Sequence, residues 1–154
     1  STMNPMLVVM ITVGCTLSAF TVTASADCSD PSNRTQNLNP VSGDMLCGTG
    51  VLNAGDRWQE YHNPNGTLME YARGADPIDP TRDVGTWTVN NNQTASATIT
   101  YTYNGGFSYT YWVNADGGGV FSMCRVSDNV LVAVVRRQEN TGEPVQCTSF
   151  PSAP

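Results

Sequence analysis

The sequence predicts an all-β fold: a small antiparallel meander of eight strands that closes into a barrel, with a two-sheet β-sandwich as the alternative. Three observations carry this. Short alternating runs of Thr, Tyr, Val, Phe and Trp recur from residue 44 onward, separated by Gly, Asn and Asp clusters. No window has a 3.6-residue apolar period, so helices are not expected. Most links between successive runs are short, which makes the neighbours antiparallel and requires no Greek-key crossover.

The chain opens outside that pattern. Leu7 to Val13 is apolar, and the stretch stays apolar or small until Ala24-Ser25-Ala26, a small-x-small site. Residues 1–26 therefore read as a secretory signal peptide, with Ser1 and Thr2 as a cloning scar before Met3. No Lys or Arg precedes the apolar run, which is atypical for such a leader. Lipidation at Cys15, which follows Gly14, is the alternative. The threonines and serines in this stretch argue against a membrane span. The remainder, 27–154, reads as one secreted or periplasmic β domain with irregular ends.

The basic residues number seven, all Arg, against thirteen acids, for a net charge of −6. No basic patch is present, which argues against nucleic-acid and anionic-membrane partners. The lack of Lys removes Schiff-base chemistry. One histidine, His62, excludes multi-His metal sites, and no cofactor motif occurs. Three N-x-[ST] sequons, at Asn33, Asn65 and Asn92, would be glycan sites in a eukaryotic source, whereas an Arg-only basic set fits a GC-rich bacterial genome.

Cys28, Cys47, Cys124 and Cys147 form an even set in an exported chain, which implies two disulfides. Local loop closure favours Cys28–Cys47 with Cys124–Cys147. Cys28–Cys147 with Cys47–Cys124 is the main rival of the three possible pairings.

In chain order, residues 27–43 read as an irregular polar lead-in. Strands are expected at 44–48, 57–62, 67–72, 86–90, 95–103, 107–113, 120–126 and 130–137. Turns are expected at Asn63-Pro64-Asn65-Gly66, Asn90 to Gln93, Asn104-Gly105-Gly106, Asn114 to Gly119 and Ser127-Asp128-Asn129. A three-residue turn at 104–106 pairs Tyr103 with Phe107, Tyr101 with Tyr109 and Ile99 with Tyr111. One face of this hairpin is then aromatic and the other rich in threonine.

That hairpin supplies the first candidate site. Tyr101, Tyr103, Tyr109 and Tyr111 share the aromatic face, and Trp112 lies on the threonine face. Tyrosine where Val or Leu would suffice points to a ligand pocket or sugar-stacking surface, although core packing also explains it. Glu60 and His62 supply the second, because they point the same way. An even hairpin register would add Glu70 for acid–base work, while the odd register natural to a two-residue Asn-Gly turn would separate it. The plain reading of these polar residues is a solvated strand face. The third is the link from Arg73 to Gly85, whose Asp76, Asp79 and Asp83 could offer oxygen ligands to calcium. Their spacing does not match an EF-hand, and Arg73 and Arg82 are natural partners for them.

Gly85-Thr86-Trp87 is similar to the G-x-W that opens the barrel in lipocalins and avidins, although here it begins roughly the fourth strand. The resemblance covers three residues and implies a barrel of that shape, able to hold a small molecule. The expected function is a secreted, non-catalytic protein that binds a small molecule or glycan at the Tyr-rich face. A protein-interaction module or inhibitor is the alternative, followed by a hydrolase using Glu60, His62 and Glu70.

Overall fold

A computed structural model describes residues 27–53, 55–71 and 81–154. Residues 1–26, read above as a signal peptide, residue 54, and residues 72–80, with Arg73, Asp76 and Asp79, lie outside the described residues. The eight strands are β1 (Met45–Gly50), β2 (Arg57–His62), β3 (Thr67–Tyr71), β4 (Thr81–Asn90), β5 (Thr98–Tyr103), β6 (Ser108–Gly117), β7 (Val120–Arg125) and β8 (Leu131–Gln138). Each pairs antiparallel with the next, and β8 pairs back onto β1 to close the barrel. Among the described residues no helix is long and apolar enough to cross a membrane.

Several boundaries differ from the sequence reading: β1 runs on to Gly50, β5 begins at Thr98 and not at 95, and β6 runs on to Gly117 through much of the turn expected at Asn114 to Gly119, where Asn114 and Ala115 pair with Ser122 and Phe121. The largest difference is at β4. The link expected to run to Gly85 ends earlier, because β4 begins at Thr81. Its polar start is drawn into the ladder by cross-strand partners: Arg82 lies opposite Glu70 and donates to its carboxylate at 2.6 Å. The register then jumps from Asp83 to Gly85, which leaves Val84 as a bulge. Gly85 passes so close to β5 that a Cβ there would collide with the Thr102 carbonyl. Asp83 accepts the Gly85 N–H at 3.0 Å.

Strand alternation divides the side chains into two sets. The inner set packs Leu46, Leu68, Trp87, Ile99, Val113 and Val135 into the main core. Gly48 of β1 faces Trp58 of β2, and a Cβ at Gly48 would overlap the indole. The bulk of Trp58 therefore depends on that glycine. The outer set includes a second cluster, Met45, Cys47 and Tyr61, covered by Cys147 and Phe150 from the C-terminal segment.

Both irregular ends lie against the barrel wall. Thr35 N–H donates to the Val113 carbonyl at 2.6 Å, and Arg34 bridges Asn114, so the lead-in runs along β6. It then turns over one end of the barrel, where Leu38 is buried and Val41 packs on the core. Asn92 Oδ1 accepts the Leu38 N–H at 2.8 Å and pins this cap. At the other terminus Thr49 donates to the Pro151 carbonyl at 2.7 Å.

The disulfides are Cys28–Cys124 and Cys47–Cys147, with Cα separations of 5.5 and 5.9 Å. Neither the locally favoured pairing nor its main rival forms. Loop closure gave weak guidance, since a loop about five times longer costs only about 1.4 kcal/mol more. The topology decided instead. Cys47 and Cys124 sit on β1 and β7, with β8 between them, roughly 10 Å apart at strand spacing. They cannot bridge each other, and each receives the terminal segment that runs over its own strand.

Candidate functional site

The site is built on the β5–β6 hairpin. Gly105 and Gly106 take φ of +116° and +92°, which their lack of a side chain allows. The resulting register pairs Tyr101 with Tyr109 and Ile99 with Tyr111, as the sequence predicted. Threonine hydroxyls couple on the outer face: Thr100 to Thr110 at 2.9 Å, and Thr102 to Ser108 at 2.8 Å. Tyr101, Tyr103 and Tyr111 turn inward.

The five hairpin candidates thus divide. Tyr101, Tyr103 and Tyr111 come together, with ring centroids 6.5 Å apart for Tyr101–Tyr103 and 6.0 Å for Tyr101–Tyr111. Tyr109 is 42% exposed and meets Tyr103 edge-on at the barrel end. Trp112 is on the outer wall, with the Arg34 guanidinium 3.8 Å above its ring. No local sequence signal marks that pairing.

The β2–β3 hairpin corrects the register taken as natural for its turn. Asn63 to Gly66 form a four-residue link, closed by Asn63 N–H to the Thr67 carbonyl at 3.0 Å. The register is even, with Glu60 opposite Glu70 and His62 opposite Leu68. The face is also not solvated: Glu60 and His62 are buried inside the barrel. The three polar residues nonetheless have separate partners. His62 Nε2 bonds the Tyr101 hydroxyl at 2.9 Å, and its ring meets Trp87 and Tyr101 edge-on. Tyr103 donates to Glu60 at 3.1 Å, and Glu70 is held by Arg82.

Burial explains the electrostatics. It lowers the His62 pKa to about 4, against opposition from the nearby Glu60 and Asp44 carbonyls, so the ring is neutral at pH 7. Burial pushes Tyr111 up to about 12, helped by Tyr109 and the Glu60 charge. Tyr101 and Tyr103 are raised by burial first and by Glu60 second. All three phenols therefore keep their protons, and Tyr103 donates its own to Glu60.

Three hollows follow one another through the barrel. The first, about 230 Å³, lies under the cap and is lined mainly by apolar groups, including Leu38, Val41, Ile99, Val113 and Val135. The second, about 140 Å³, is bordered by Trp58, Glu60, Tyr101, Tyr103, Tyr111 and Ala133. Leu46, Tyr101 and Met123 border both. The third, about 400 Å³, lies at the opposite end among Glu60, Glu70, Arg82, Asp83, Tyr103 and Asn104. Glu60 and Tyr103 are common to the second and third. His62 lines none of these three, so it is not placed to meet a molecule held in them.

Sequence reasoning missed Trp58 and the cap. Trp58 was within reach, since it alternates with Glu60 and His62 on one strand. Comparison of the chain with protein-family models, curated proteins and solved structures returned no match.

Proposed function

We propose that this chain is an exported, non-catalytic binding protein that holds a small, largely apolar molecule inside its barrel. One observation carries the reading: the apolar hollow under the cap and the tyrosine-lined hollow adjoin across Leu46, Tyr101 and Met123. Apolar walls with a few convergent polar groups are the usual make-up of a small-molecule site. Two disulfides fit an oxidising compartment. A sugar-stacking surface is less well supported, because Tyr101 is 3% exposed and Trp112 lies beneath Arg34.

The test is uptake of a neutral apolar fluorophore, phenylnaphthylamine, by the oxidised protein and by Val135→Phe. Val135 is buried and lines the apolar hollow. One-to-one uptake by the parent and its loss in a folded variant are expected. No uptake by the folded parent, or equal uptake by both, would overturn the reading.

A further inference from the structure

The two inner hollows lie in line along the barrel. On β5, Ile99 borders the first, Tyr101 both and Tyr103 the second. β6 passes from Val113 on the first to Tyr111 on the second, and β8 from Val135 to Ala133. Inward side chains two residues apart are about 7 Å apart along a strand. The hollows are therefore successive lengths of one axial space, and an eight-stranded barrel leaves little width across it.

Their junction is fixed at one of its three side chains. Tyr101 is 3% exposed, bonded to His62 at 2.9 Å and packed edge-on against that ring. The other two are Leu46 and Met123, and methionine readily adapts its shape. A flexible chain can pass here with small adjustments, whereas a rigid ring system would have to separate Tyr101 from His62. Past the junction, Trp58, Tyr111, Val132 and Ala133 offer carbon-rich walls. The Glu60 carboxylate on the same border is engaged by the Tyr103 hydroxyl.

We infer that the molecule held by the barrel carries one unbranched aliphatic chain, which fills the hollow under the cap and ends past Tyr101 in the second hollow, where Ala133 sets its maximum length. This rests on the barrel-binding reading above and adds the shape of the ligand. Ala133 is buried and borders the second hollow but not the first. A larger side chain there takes room from the end of the chain and leaves the space under the cap unchanged. The other end of the molecule lies at the rim of the first hollow, where Asn37 and Pro40 are exposed.

The experiment is displacement of phenylnaphthylamine from the oxidised protein by straight-chain alcohols from hexanol to dodecanol. Affinity should rise about fourfold per methylene, the gain from burying one CH2 group, and level off once the second hollow is full. In Ala133→Leu the levelling should come at a shorter chain, with the fluorophore and the shortest alcohols bound as by the parent. Ala133→Val adds less volume and should give an intermediate limit, which keeps the test if the leucine variant does not fold. The same limit in the parent and in a folded variant would overturn the chain, and so would an unbroken rise through dodecanol, while the barrel reading stands. Displacement by none of the alcohols from a parent that takes up the fluorophore would do the same. No fluorophore uptake by the folded parent would overturn both.

Discussion

The His62 imidazole and the Tyr101 hydroxyl meet at 2.9 Å, and Tyr101 in turn borders both inner hollows. His62 is fully buried, with its pKa lowered to about 4 by that burial. In the unfolded chain it titrates near 6.5. As pH falls below about 6.5 the unfolded state binds a proton that the folded state refuses. Stability is therefore lost progressively from about pH 6.5 and the loss is complete below about pH 4, at roughly 3 kcal/mol. Above pH 6.5 the group contributes no slope. His62→Gln should flatten this part of a Tm-against-pH curve. An equally steep fall in the variant would disprove the assignment.

Peptide mapping without reduction should recover Cys28 joined to Cys124 and Cys47 joined to Cys147. Each bridge spans about 100 residues, for which chain entropy suggests about 4–5 kcal/mol. The double variant Cys47→Ala with Cys147→Ala should lose a large part of that in urea unfolding. It should also release Phe150 and the tail from the outer cluster. A loss below about 1 kcal/mol would mean that the tail is held by other contacts.

Gly48→Ala should destabilise the barrel by about 1–3 kcal/mol through overpacking against Trp58. Trp58→Leu in the same chain should recover part of that. A double-mutant cycle measures the coupling, and simple additivity would show that the clash is relieved elsewhere.

Arg34→Ala should cost about 1 kcal/mol, the scale of a partly desolvated cation–π contact. The uncovered Trp112 should shift tryptophan emission to the red. Unchanged emission and stability would count against a holding role for Arg34.

Much of the barrel was legible because local chemistry and global pairing agreed. Thr, Tyr and Phe alternate on either side of Asn104-Gly105-Gly106, so turn type and face together fix one register. Where they did not agree, the reading failed. Arg82 and Asp83 look like loop residues until Glu70 and Met69 pair with them. Glu60 and His62 look solvated, because inward polar residues carry the same two-residue period as outward ones. Their burial depends on partners from β5, Tyr103 and Tyr101, about 40 residues away. The disulfides depend on the path of two tails with no regular period. The Tyr face was visible in the sequence, but the hollows beside it were not, because empty space is set by all eight strands at once.

The return of β8 onto β1 has a further consequence. An open sheet ends in strands whose N–H and C=O groups on one side have no neighbour, and these can template addition of another chain. Here each of the eight described strands has a partner on both sides. Where two strands are paired, neither a second copy nor a foreign peptide can add between them without first prying them apart. Along those paired stretches, self-assembly by strand addition has to start from a local opening of the barrel.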